Sequence, residues 1–136
     1  MPRLKPIDPI HATGHARDLL NAVHEKLGMT PNLVRTLANS PAALGSYLAF
    51  GAALEETSLS PQLREQIALT VSEANGCEYC VAAHSAIGKT VGLSDGQLND
   101  ARTSSSPETR TETILQFARQ LVEDRGSVND DDVQRV

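Results

Sequence analysis

Tryptophan is absent, and two tyrosines and two phenylalanines are the only aromatic side chains, 3% of the chain. With so few large rings the core has to be built from Leu, Ile, Val and Ala, which suits closely packed helices better than a sandwich or barrel. Strand-like alternation of useful length is missing, as are a fixed-period repeat and any low-complexity segment beyond the polar loop Thr103-Ser104-Ser105-Ser106-Pro107. No apolar run approaches the roughly 20 residues that span a bilayer, which argues against a membrane partner. Met1-Pro2-Arg3-Leu4-Lys5-Pro6 has no apolar signal region, so the expected compartment is the cytoplasm. Positive charge is short: 12 Lys and Arg against 17 Asp and Glu leave a net charge of −5, which argues against nucleic acid as a partner. Cysteine is scarce too. Only two are present, and in a cytoplasmic chain a close pair points to catalysis or metal binding rather than to a structural bridge.

What is there fits one helical domain, residues 1–136, long enough for a real core. Residues 1–14 carry three prolines and one histidine, His11, and read as an extended arm. A first helix is expected over 15–27, stopped by Gly28. Thr30-Pro31 opens a short second helix, with Thr30 placed to cap it, and Ser40-Pro41 opens a third to about Glu56. Ser60-Pro61 starts a fourth over 61–75, whose Leu63, Ile67, Ala68, Leu69, Val71 and Ala74 go most of the way round the wheel, as in a central helix. A fifth is expected over 77–91, a short one from Ser94 to about Arg102, and an amphipathic one over 108–125. Acidic residues then stand where a last helix would start, and the chain stops after roughly two turns, which reads as a truncated C-terminus. The expectation is an all-α bundle of seven to eight helices.

The stretch Glu73-Ala74-Asn75-Gly76-Cys77-Glu78-Tyr79-Cys80-Val81-Ala82-Ala83-His84 concentrates the chemistry. Gly76 marks a turn and Cys77 the start of a helix. At about 100° per residue, Cys77, Cys80 and His84 share one helix face. Cysteines three apart at a helix start can close a disulfide with little backbone movement, and the free N–H groups there favour the thiolate. His84, one turn past Cys80, is placed to hold or pass a proton. Glu65 lies on the mostly apolar preceding helix, where burial would let it exchange protons near neutrality. Tyr79 lies between the cysteines, either as a half-buried ring or as a hydroxyl bonded to the site. Glu78 reads as a first-turn carboxylate.

Three readings of the cysteines stay open on the residues alone. One is a redox dithiol. Another is a zinc site with Cys77, Cys80 and His84, which needs a fourth ligand; His11, His15 and His24 lack ligand spacing and read as surface residues. The last is a pair of inert core cysteines.

Glu65, the Cys77-Glu78-Tyr79-Cys80 segment and His84 together resemble the core motif of the AhpD-like alkylhydroperoxidases within the carboxymuconolactone decarboxylase superfamily. That motif has a glutamate twelve positions before the first cysteine and a histidine four after the second. The resemblance covers about Asn32 to Leu121 and is sharpest from Leu63 to Leu93. It implies an all-helical bundle, assembled as trimers or hexamers, that reduces hydroperoxides. It assigns Cys80 as the peroxidatic cysteine, Cys77 as the resolving one, and His84 and Glu65 to a proton relay. The cofactor is then the redox-active disulfide itself, with no metal, served by an external thiol or a reductant protein. The best-described members place a histidine where this chain has Tyr79. Many members have tyrosine there, which keeps the dithiol chemistry and removes one proton shuttle. A thiol–disulfide oxidoreductase or redox adaptor is therefore the alternative. The decarboxylase branch lacks the cysteine pair, so lactone chemistry is not expected.

Overall fold

The computed structural model describes residues 3–136, and all regular structure among them is helical: eight α-helices and one 3-10 turn. The chain divides into two compact units, one ending at Thr57 and the other covering Ser58–Val136.

The first unit holds α1 (Gly14–Leu27), α2 (Asn32–Leu37) and α3 (Pro41–Glu55). Gly28 takes a left-handed conformation (φ 71°) and donates its N–H to the His24 carbonyl, ending α1 as expected. Ser40 caps α3 by accepting from the Ala43 N–H at 3.3 Å, with Pro41 in the first turn. The same device fails at α2. Pro31, not Thr30, occupies the cap position, and no side chain bonds the helix start. The expected arm is also more structured than extended. Asp8 caps a 3-10 turn at Pro9–His11. Before that turn the arm is stitched to α2 and the residues just after it: the Ile7 N–H donates to the Arg35 carbonyl, Arg35 Nε donates to the Ile7 carbonyl, both at 2.9 Å, and Asn39 Nδ2 donates to the Lys5 carbonyl at 3.0 Å. Met1 and Pro2 of that arm lie outside the described residues.

The core of this unit is Ala12, Leu20, Val23, Val34, Ala38 and Leu44. Of the large apolar side chains along α3, only Leu44 is fully buried, while Tyr47 and Phe50 stay 47% and 67% exposed. A helix apolar on nearly every side carries more apolar surface than α1 and α2 can cover.

The second unit is built around α4 (Pro61–Ala74), which packs against α5 (Glu78–Thr90), α6 (Asp95–Arg102) and α7 (Thr109–Glu123). Its central position follows the sequence expectation, but three of its buried residues, Gln66, Thr70 and Ser72, are polar. Two of these bond backbone in place. Thr70 Oγ1 donates to the Ala101 carbonyl at 2.6 Å, satisfying a carbonyl in the last turn of α6, and Ser72 Oγ donates to Ala68 at 2.6 Å. The apolar core comprises Leu69, Leu93, Leu98, Ala101 and Leu115. Ser60 caps α4, and Ser94 and Gln97 form a capping box on α6. A short α8 (Asp130–Gln134) has its own box, Asn129 with Asp132, and Asp132 also accepts from Gln120 of α7 at 2.9 Å.

Candidate active site

The site begins where α4 stops. Asn75 and Gly76 turn the chain, and Gly76 adopts φ 63°, a left-handed conformation that costs a side-chain-bearing residue energy. The Cys77 N–H then donates back to the Ser72 carbonyl at 2.9 Å, closing the turn. Cys77 becomes the N-cap of α5, and its Sγ accepts from the Cys80 N–H at 3.3 Å. Cys77 and Cys80 are joined in a disulfide, with their Cα atoms 5.3 Å apart. The cap geometry and the three-residue spacing together bring the two sulfurs within bonding reach.

One turn further along α5, His84 Nδ1 lies 2.8 Å from Glu65 Oε2 on α4. The Glu65 side chain is only 17% exposed and that of His84 35%. With Glu65 ionised, Nδ1 is the protonated donor, and Nε2 is left to give or take a proton. Gly88 lies one turn beyond His84 and is buried; a Cβ there would come within 2.7 Å of Leu98 Cδ2 and 3.2 Å of Leu93 Cδ1, so the bare backbone lets α5 seat against these two leucines, with Glu65 Cβ at an ordinary contact distance of 3.9 Å.

An open depression of about 430 Å³ lies on the Cys77 side of the pair, with Glu73, Glu78 and Arg102 as its charged lining. Arg102 Nε donates to Glu73 Oε2 at 2.7 Å. That bond holds the Glu73 carboxyl below its ordinary range and pushes the Arg102 guanidinium above its own.

The structure thus brings Cys77, Cys80, His84 and Glu65 into one helix pair. Tyr79 is 47% exposed. His11, His15 and His24 are exposed on the other unit, and among the described residues no three His, Cys, Asp or Glu side chains gather so as to hold a metal ion. Glu73, Arg102 and Gly88 were not singled out from the sequence. The first two are 29 positions apart and carry no spacing signal. Gly88, a small residue one turn after the histidine, could have been read as a point of close helix approach.

A model of the carboxymuconolactone decarboxylase family matches residues 41–124. Among solved structures, the chain is similar to an alkylhydroperoxidase AhpD core described as a peroxidase-related protein of Ralstonia eutropha, with TM-score 0.85 and 26% identity over 99% of this chain and 75% of that one. A peroxidase-related protein of Silicibacter gives TM-score 0.80 and 25% identity over 98% and 76% of the two chains. The alkylhydroperoxidase AhpD core of Rhodospirillum rubrum gives 0.70 and 25%, over 98% of each. No curated protein matches the chain.

Proposed function

The chain belongs to the carboxymuconolactone decarboxylase family and has an AhpD-like fold, and from that premise we propose that it is a thiol-dependent peroxidase that reduces hydroperoxides with Cys77 and Cys80. The observation that carries this reading is a disulfide at a helix N-terminus whose own helix also presents His84, paired at 2.8 Å with a largely buried Glu65. In the reduced form, His84 backed by Glu65 favours the Cys80 thiolate. The thiolate attacks the terminal peroxide oxygen, the O–O bond breaks, and the alcohol leaves with a proton from the imidazolium. Cys77 attacks the resulting sulfenic acid, water leaves, and the disulfide closes. An external thiol or reductant protein reopens it by exchange. The cycle calls for no metal, haem or flavin.

The family match crosses the boundary between the two units, which supports reading residues 1–136 as one AhpD-like domain. Assembly into trimers or hexamers follows from the same resemblance, and the exposed Tyr47 and Phe50 of α3 are suitable contact residues. No described helix is long and apolar enough to cross a membrane, and a cytoplasmic location is part of the proposal.

A second reading is favoured by Tyr79, a half-exposed ring where a third proton carrier would stand. It casts the protein as a thiol–disulfide oxidoreductase acting on a protein partner. Stopped-flow comparison of reduced protein with cumene hydroperoxide and with a protein disulfide separates the two. The peroxidase reading expects the faster second-order rate with peroxide. Exchange faster by about tenfold or more would favour the oxidoreductase.

A further inference from the structure

Cys77 and Cys80 face different charges. His84, paired with Glu65, stands one turn beyond Cys80. Cys77 instead lines the depression of about 430 Å³. Three helices each give that depression one charged group: Glu73 from the last turn of α4, Glu78 from the first turn of α5 and Arg102 from the last turn of α6. Arg119 of α7 adds a weaker positive influence on Glu73, and is itself bonded to Glu123 at 2.7 Å.

The bond between Arg102 and Glu73 is not what holds Cys77 in place. The Gly76 N–H donates to the Glu73 carbonyl and the Cys77 N–H to the Ser72 carbonyl, both at 2.9 Å. Thr70 Oγ1 fastens α4 to α6 through the Ala101 carbonyl at 2.6 Å. None of these bonds uses the Glu73 carboxylate or the Arg102 guanidinium. An ion pair whose side chains are 42% and 39% exposed adds little stability of its own. What the pair supplies is charge. Glu73 holds the guanidinium at 2.7 Å, and Glu78 leaves the lining with one negative charge in excess. We infer that Glu73 and Arg102 tune Cys77: Glu73 withholds the guanidinium from the sulfur, so Cys77 stays mostly a thiol while His84 activates Cys80.

The consequence falls on the closing step of the cycle, and that part rests on the peroxidase reading. The Cys77 thiolate supplies the electron pair for the S–S bond and the S–O bond of the Cys80 sulfenic acid breaks. Hydroxide leaves as water with the proton that Cys77 released. The thiolate is the attacking form, so the charge beside Cys77 sets how long the sulfenic acid lasts.

The test reads Cys77 alone, in reduced protein carrying Cys80→Ser, with iodoacetamide as an uncharged probe. Glu73→Gln brings the lining to zero net charge and Arg102→Gln leaves it two negative charges in excess. Near neutral pH the first should speed alkylation about threefold and the second slow it about threefold, with the spread shrinking in high salt. The double variant Glu73→Gln/Arg102→Gln lacks the ion pair but keeps the wild-type net charge, and should return to within about twofold of the wild-type rate. Equal rates throughout, a shift of both single variants in one direction, or a double variant that does not recover would overturn the inference, the last two being the marks of a merely structural clamp. Glu78 takes no part in the ion pair, so Glu78→Gln keeps the test open if Arg102→Gln does not fold. It should speed alkylation as Glu73→Gln does, and an unchanged rate refutes the role of charge. With both cysteines present and one equivalent of cumene hydroperoxide, dimedone should trap less Cys80 sulfenic acid in Glu73→Gln and more in Arg102→Gln. Equal trapping in variants whose alkylation rates differ would overturn the link to the closing step. No sulfenic acid in any variant, with the alkylation order intact, would tell against the peroxidase reading and leave the tuning of Cys77 standing.

Discussion

Glu65 and His84 carry the clearest prediction for single residues. Their 2.8 Å contact joins a mostly buried carboxylate to an imidazole one turn from Cys80. Glu65→Gln removes the charge that orients and stabilises the imidazolium, so peroxide consumption by reduced protein should fall by about ten- to a hundredfold with the fold intact by circular dichroism. Unchanged kinetics would take Glu65 out of the relay. The cysteines divide more sharply. Cys80→Ser should abolish peroxide consumption, whereas Cys77→Ser should accumulate a sulfenic acid trappable by dimedone; equal residual activity in both variants would end the assignment of roles. That these four lie together was legible from two signals, the helical spacing of Cys77, Cys80 and His84 and, for Glu65, the resemblance to the family motif. Arg102 was not, since an ion pair between residues 29 apart exists only once α4 and α6 are packed.

At the level of helices, the seat of α5 against Leu93 and Leu98 depends on Gly88. Gly88→Ala would drive a methyl group into Leu98 and Leu93, and overpacking of this kind costs about 1–3 kcal/mol. The variant should lower the urea midpoint without changing the slope. An unaltered midpoint would show that the contact relaxes freely. A second prediction concerns α8. The Asp132 carboxyl is held below its ordinary range, first by the Asn129 N–H and then by Gln120 and Arg135, against an opposing contribution from burial. Because its native value is the lower one, the stabilisation is complete above the ordinary aspartate range, near about pH 4. It fades as pH falls through the lowered native value. Amides of α8 should therefore lose exchange protection on acidification, and Asp132→Asn should remove that pH dependence; protection constant to pH 2 would contradict it. Most helix limits could be read from Ser-Pro starts and glycine stops, because those signals are local. The Thr30-Pro31 start misled since proline itself took the cap position, leaving the threonine outside the helix. The polar residues buried on α4 could not be foreseen, because Thr70 is satisfied by a carbonyl of α6 that lies 31 positions away.

For the whole molecule, low aromatic content and the lack of strand alternation were enough to exclude sheet architectures, and the chain is all-helical among the described residues. The two compact units were not legible, because the helix-start signals around Glu55 and Ser60 look like every other interhelical turn in the chain. The proposed assembly has its own test. Phe50→Asp places a charge on the exposed apolar side of α3 and should lower the mass measured by light scattering from that of an oligomer to that of one chain; an oligomer that survives the change must be held elsewhere. The central claim, a dithiol that reacts with peroxide, is tested most directly by counting thiols in fully reduced protein before and after one equivalent of cumene hydroperoxide, followed in time. The account predicts that both thiols disappear within seconds to minutes and return on treatment with dithiothreitol. Two thiols that persist for hours would contradict it.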